Sequence, residues 1–191
     1  MGRNETAMLV CSETPISGLK ILTRSEFQDK RGSFARLFCA EELEPVGWTQ
    51  PVAQINHSIT NYAGTVRGMH YQKPPHGETK LVSCIKGSVF DVAIDLRKDS
   101  PTFLKWHAQI LSESNKMALL IPKGMAHGFQ SLEDDTELIY VHSTSYTPSA
   151  EAGLNALDPR LAITWPLPPR NVSDRDATFP EIDNSFFGIE T

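Results

Sequence analysis

The chain has 191 residues, 40% of them hydrophobic and 21% charged, with a formal net charge of -5, which suits one domain with a substantial core. The acidic balance argues against nucleic acid as the main ligand, although a local basic pocket for phosphate stays open, and no apolar run approaches the roughly 18 residues a membrane helix needs. Cys11, Cys39 and Cys84 are widely spaced without a CxxC pair, so they form neither a disulfide framework nor a zinc site.

The apolar patch Met8-Leu9-Val10-Cys11 is too short for a secretory segment, and a cytoplasmic, reducing location is expected. Turn signals then recur about every 8–12 residues. The first is Asp29-Lys30-Arg31-Gly32, and a single helical turn over 40–43 is limited by Pro45. After Asn61-Tyr62-Ala63-Gly64 comes a strand-like run over 67–72, then strands over 80–85 and 89–96, separated at Lys86-Gly87. In the 89–96 run Phe90, Val92, Ile94 and Leu96 fall on one face, with Asp91 and Asp95 on the other. Further strands are expected over 103–111, 117–121 and 136–146, divided by Glu113-Ser114-Asn115 and Glu133-Asp134-Asp135. From Trp165 the chain becomes Pro-rich and polar, which reads as a tail wrapped over the strands. Many short strands at this spacing predict an all-β fold, a jelly-roll barrel or sandwich with few helical turns. The whole chain, 1–191, reads as one such domain.

Chemistry-bearing residues gather in two stretches. One is Arg67-Gly68-Met69-His70-Tyr71-Gln72 with Lys80 beyond it; the other is Ile121-Pro122-Lys123-Gly124-Met125-Ala126-His127-Gly128-Phe129. Strand alternation points Gly68, His70 and Gln72 together and Met69 with Tyr71. A histidine and a lysine near strand ends can take a proton from a carbon beside a carbonyl and hold the resulting oxyanion, with no metal or organic cofactor. Each residue taken alone also has a plain reading. His70 could be a satisfied core residue, His127 a structural histidine on Phe129 and Tyr140 a barrel-wall residue. Arg31 could be a solvated turn residue, and Arg67 an edge-strand ion pair.

The Pro122-Lys123-Gly124-Met125-Ala126-His127 segment resembles the second motif of cupin jelly rolls. In metal-binding cupins its histidine joins a His-x-His pair; here the corresponding pair is His70-Tyr71-Gln72, and an amide is a poor transition-metal ligand beside imidazole. A barrel without metal is therefore expected. The longer set Arg-Gly-Met-His-Tyr-Gln, Lys80-Leu81-Val82, Asp91 through Arg97, Ser100-Pro101-Thr102-Phe103, Ala126-His127-Gly128-Phe129 and Asp158-Pro159 with Trp165-Pro166 is similar to the dTDP-4-dehydrorhamnose 3,5-epimerase family. The similarity runs from about residue 18 to about residue 180.

That resemblance implies a homodimeric cupin barrel acting on a nucleotide-diphosphate 4-keto-6-deoxy-hexose, without cofactor. It implies His70 as general base, Asp176 of Ser173-Asp174-Arg175-Asp176 as its carboxylate partner, Tyr140 as proton donor and Lys80 beside the keto oxygen. It places Arg31, Gln54, Asn56, Arg67, His127, Tyr146 and Glu151 around the substrate, with Arg31 and Arg67 suited to the diphosphate.

The segment Gly32-Ser33-Phe34-Ala35-Arg36 departs from the family pattern. Ser33 stands where a bulky ring is common, and Arg36 where a glutamate would meet the nucleobase. A guanidinium only donates, so a guanosine or cytidine diphosphate sugar is the alternative to the thymidine one. Inversion at one centre instead of two is a further alternative. A metal-dependent cupin and a non-catalytic sugar-nucleotide binder are the remaining ones.

Overall fold

The computed structural model describes residues 9–191, so Met8 of the N-terminal apolar patch lies outside the described residues. Strands β1 (Leu9–Glu13) and β2 (Lys20–Arg24) are followed by the hairpin β3 (Glu26–Asp29) and β4 (Gly32–Ala35), then by the single turn α1 (Ala40–Leu43). The barrel continues through β5 (Gln54–Thr60), β6 (Val66–Gln72), β7 (Lys80–Lys86), β8 (Ser88–Asp95) and β9 (Trp106–Ser112). It closes with β10 (Met117–Ile121), β11 (Met125–Ser131), β12 (Thr136–His142) and β13 (Glu151–Gly153), before the short helix α2 (Asp174–Ala177). One sheet has the order β1-β2-β10-β7-β12-β5, the other β13-β6-β11-β8-β9, and β3-β4 stands apart as a two-stranded ribbon. All pairings within the two sheets are antiparallel. This is the expected jelly roll. No helix among the described residues is long and apolar enough to cross a membrane.

Three apolar layers hold the sheets. Between them, Val82, Leu119 and Leu138 of the first sheet meet Val89, Ala93 and Phe129 of the second. Outside the first sheet, Leu22, Leu81 and Leu120 pack under Leu43 and Trp48. Outside the second, Val92, Ile94 and Leu96 lie under the C-terminal tail, against Leu161, Ile182 and Trp165. The continuous apolar face read in 89–96 is thus the tail-covered face, while Val89, Asp91 and Ala93 face inward. Each Leu or Ile so buried contributes about 1.5–3 kcal/mol. Asp158 staples the tail by accepting from Ile182 N at 2.5 Å and from Arg160 N at 2.7 Å.

Three expectations are corrected. The strand expected from 103 begins at Trp106, because Asp95 organises the preceding loop. Its carboxylate accepts from Ser100, Thr102 and Arg97, and Leu104 takes a positive φ of 59°. The strand expected to reach 146 ends at His142, after which Ser143 and Thr147 bond to Thr79 and Gln72. Finally, strict alternation fails in 67–72. Phe129 pairs with Arg67 but His127 with His70, so β6 carries one extra residue at that point. The bulge sends Val66 and Met69 both toward the tail, while Arg67 and His70 line the same cavity.

Candidate active site

That bulge decides what β6 presents. At Gly68 the φ is +120° and a Cβ would stand 2.6 Å from Gly128 Cα, so neither strand tolerates a side chain at the crossing. The Gly68 N–H turns out of the ladder and donates to Asp176 Oδ2 at 3.0 Å. The other carboxylate oxygen, Asp176 Oδ1, lies 2.8 Å from His70 Nε2. Asp176 itself is held by its position at the start of α2, where Ser173 Oγ accepts from its N–H at 3.1 Å.

Burial on its own would raise the Asp176 carboxyl. The His70 hydrogen bond, the Gly68 N–H, the His70 charge and Arg175 outweigh it and hold the group well below the usual carboxylate range. An ionised carboxylate can only accept, so His70 carries its proton on Nε2 and keeps the Nδ1 lone pair free. The Arg175 guanidinium lies 3.2 Å from both Asp176 Oδ1 and His70 Nε2. Arg175 Nε donates to Asp176 Oδ1, and because Nε2–H is already committed to the carboxylate, Arg175 meets His70 through charge.

Across the barrel, Lys80, Tyr140 and Asn56 project inward from β7, β12 and β5 of the opposing sheet. Together with His70, His127 and Arg67 they surround a cavity of about 260 Å³. The Tyr140 hydroxyl shares a hydrogen bond with Ser58 Oγ at 3.0 Å, and its ring sits between those of His127 and His142 at 6.1 and 6.2 Å. Burial pushes the Tyr140 phenol far above its ordinary value, with the Ser58 bond offsetting only part of this. It therefore stays a neutral proton carrier. His127 Nε2 lies 2.8 Å from Asp91 Oδ1, both side chains being buried. Lys80 Nζ pairs with Glu78 Oε1 at 2.9 Å. The Arg67 guanidinium donates from Nη2 to Ile59 O at 3.1 Å.

The other expected residues fall in two places. Gln54, Tyr146 and Glu151 form a connected edge: Tyr146 N donates to Gln54 Oε1 at 2.7 Å, and Tyr146 Oη donates to Glu151 Oε2 at 2.8 Å. Glu151 in turn pairs with Arg175, which joins that edge to His70. Arg31 is elsewhere. It sits on the β3–β4 turn, 83% exposed and paired with Asp29, and does not line the cavity of its own chain. Gln72, at the second position of the cupin pair, spends its amide on the backbone of His76, Ser145 and Thr147 and on the Glu78 carboxylate.

Ser58, Glu78, Asp91, His142 and Arg175 belong to this constellation although none of them is among the expected site residues. Asp91 had a signal, because it breaks the apolar pattern of its strand on the inward face. The others had none: Glu78 and His142 meet only because β7 and β12 pair in register.

His70 on one sheet, backed by the Asp176 carboxylate of α2, thus faces the Lys80 ammonium and the neutral Tyr140 phenol on the other. A family model described as dTDP-4-dehydrorhamnose 3,5-epimerase matches residues 13–184. The dTDP-4-dehydrorhamnose 3,5-epimerase of Shigella flexneri is 41% identical over 165 residues, covering 86% of this chain and 91% of that one. The Bacillus anthracis enzyme of that name, crystallised with TDP and PPi bound, is 40% identical with a TM-score of 0.88, covering 91% of this chain and 99% of that one. The Legionella pneumophila dTDP-6-deoxy-D-glucose-3,5-epimerase, in complex with dTDP-4-keto-L-rhamnose, is 37% identical with a TM-score of 0.89, covering 96% and 98%. This chain belongs to the dTDP-4-dehydrorhamnose 3,5-epimerase family.

Proposed function

We propose that the protein inverts C3 and C5 of dTDP-4-dehydro-6-deoxyglucose to give dTDP-4-dehydrorhamnose. The observation that carries this reading is the placement of His70 and Tyr140 on facing sheets, so that a sugar held between them meets a base on one side and an acid on the other. His70 Nδ1 takes the proton from the carbon beside the ketone, and the C–H electron pair moves into the C4 oxygen as an enolate. Asp176 stabilises the imidazolium so formed, and Lys80 stabilises the enolate oxygen; one such donor is worth roughly 3–4 kcal/mol. Tyr140 then delivers a proton to the opposite face, and Ser58 offers a path for its recovery. His70 releases its proton to solvent. Nothing is oxidised or reduced, so the cycle needs no cofactor.

A cavity of about 260 Å³ fits the sugar and leaves the diphosphate and base outside it. Arg67 lines both this cavity and the adjoining one, which gives them room to extend. Arg31 fits the same purpose only from a second copy, and this supports a homodimer. The exposed Phe27 and Phe34 of its hairpin, directly paired in register, and the exposed Ile55 and Ile59 on edge strand β5 give such a copy apolar surface. Arg36 pairs with Glu42 of α1, so its guanidinium is engaged within the chain, and the thymidine relatives make a shift of base the less favoured reading.

The test is proton NMR with dTDP-4-keto-6-deoxyglucose in D₂O. Deuterium at both C3 and C5 is expected, and His70→Ala should abolish it without loss of fold. Label at one carbon only would reduce the function to a single-centre epimerase; wild-type exchange in His70→Ala would remove His70 as the base.

A further inference from the structure

His142 is the direct cross-strand neighbour of Lys80 on one side and of Gln54 on the other. Alternation along β12 puts it on the same inward face as Tyr140, against whose ring it packs, and it lines the sugar cavity. Behind it lies Glu78, whose side chain is only 8% exposed. The Glu78 carboxylate reaches Lys80 Nζ with Oε1 at 2.9 Å and His142 Nδ1 with Oε2 at 3.0 Å, and it accepts a longer bond from Gln72 Nε2 at 3.3 Å. Burial opposes its ionisation, but the His142 hydrogen bond and the Lys80 charge prevail and keep it below the ordinary glutamate value. A carboxylate only accepts, so His142 must hold its proton on Nδ1 and offer Nε2 as an acceptor. Nε2 faces the Asn56 amide nitrogen at 3.4 Å, too long for a good bond.

We infer that His142 is a specificity-determining residue whose Nε2 accepts a hydrogen bond from the C3 hydroxyl of the sugar, with Glu78 as the positioning residue that orients both His142 and Lys80. The inference rests on the functional reading above. The two carbons flanking the C4 ketone differ in what they carry: C3 bears a hydroxyl, C5 a methyl group. With Lys80 facing the C4 oxygen, its neighbour His142 faces a substituent of one of these carbons. A methyl there would leave the Nε2 lone pair with only its long Asn56 contact, whereas a hydroxyl satisfies it and bridges toward Asn56. Fixing that hydroxyl also fixes the direction of the C3–H bond, and so its presentation to His70.

The experiment measures deuterium entry at C3 and C5 separately, in wild type and His142→Leu. Wild type should exchange at both carbons. The variant should lose about 10- to 100-fold at C3, the range for leaving a buried polar partner unmatched, and change little at C5. In parallel, the 3-deoxy analogue should bind wild type about 10- to 100-fold more weakly than the normal sugar and show no such penalty with the variant. Absence of all exchange in wild type would defeat the functional reading itself. Normal wild-type exchange with equal losses at C3 and C5 in the variant, or with no loss at C3, would overturn the role of His142. Should His142→Leu not fold, the wild-type comparison of the two sugars decides alone: equal binding overturns the inference.

Discussion

Gly68 and Gly128 face each other where β6 crosses β11, and each occupies space the other would need for a side chain. A Cβ on Gly68 would stand 2.6 Å from Gly128 Cα, and one on Gly128 would stand 2.6 Å from the Arg67 carbonyl oxygen. This closeness lets the β6 bulge form, places Arg67 and His70 on one face, and frees the Gly68 N–H for Asp176. Because backbone is met in both cases, alanine at either position should cost about 1–3 kcal/mol of stability, on the scale of an overpacked core. Gly68→Ala should also lower kcat, since the displaced N–H is a partner of Asp176. Urea unfolding together with initial rates checks both. Unchanged stability in both variants would contradict the crossing as described.

The His70–Asp176 pair makes a separable expectation. In Asp176→Asn the imidazole loses the carboxylate that fixes its tautomer and stabilises its cation, so kcat should fall about 10²–10⁴-fold, the range for positioned acid–base catalysis. KM should move far less, because Asp176 lies behind His70. A KM rise with kcat preserved would place Asp176 in binding instead.

Asp95 governs acid stability through the loop it gathers. Burial opposes its ionisation, but hydrogen bonds from Arg97, Ser100 and Thr102 prevail and lower its carboxyl from the ordinary 3.8 to about 2. A depressed value means the unfolded chain binds the proton more readily. The stabilisation is therefore complete above about pH 4 and drains away as pH falls toward about 2. Asp176, also depressed, adds loss in the same direction. Urea midpoints between about pH 5 and about pH 2 should fall more steeply for wild type than for Asp95→Asn. Parallel curves would show that Asp95 contributes nothing there.

The position of Arg31 gives an intersubunit test. If it serves a partner's cavity, Arg31→Ala and His70→Ala chains, each weakly active or inactive, should recover activity when refolded together. Random pairing makes half of the dimers mixed, each with one intact cavity, so about a quarter of wild-type activity is expected. No recovery, with mixed dimers verified by mass, would confine Arg31 to its own chain.

Much of this molecule is legible in its residues alone. The turn residues and short apolar runs give an all-β chain, and strand β10 matches its expected limits, 117–121. Local rules suffice there because turn chemistry and period-two patterning are properties of neighbouring residues. The motifs carrying His70, Lys80, His127, Tyr140 and Asp176 are legible as well, though what brings them together is not. Strand β5 illustrates the limit: its inward side is Gln54, Asn56, Ser58 and Thr60, while Ile55 and Ile59 are exposed, the reverse of the usual pattern. That inversion makes sense only once the inward side is seen to be a cavity wall. The extra residue in β6, the Glu78–His142 pair and the outward position of Arg31 depend on strand register and on a hairpin's direction. These are relations between segments far apart in the chain, and they exist only when the sheets pair and close.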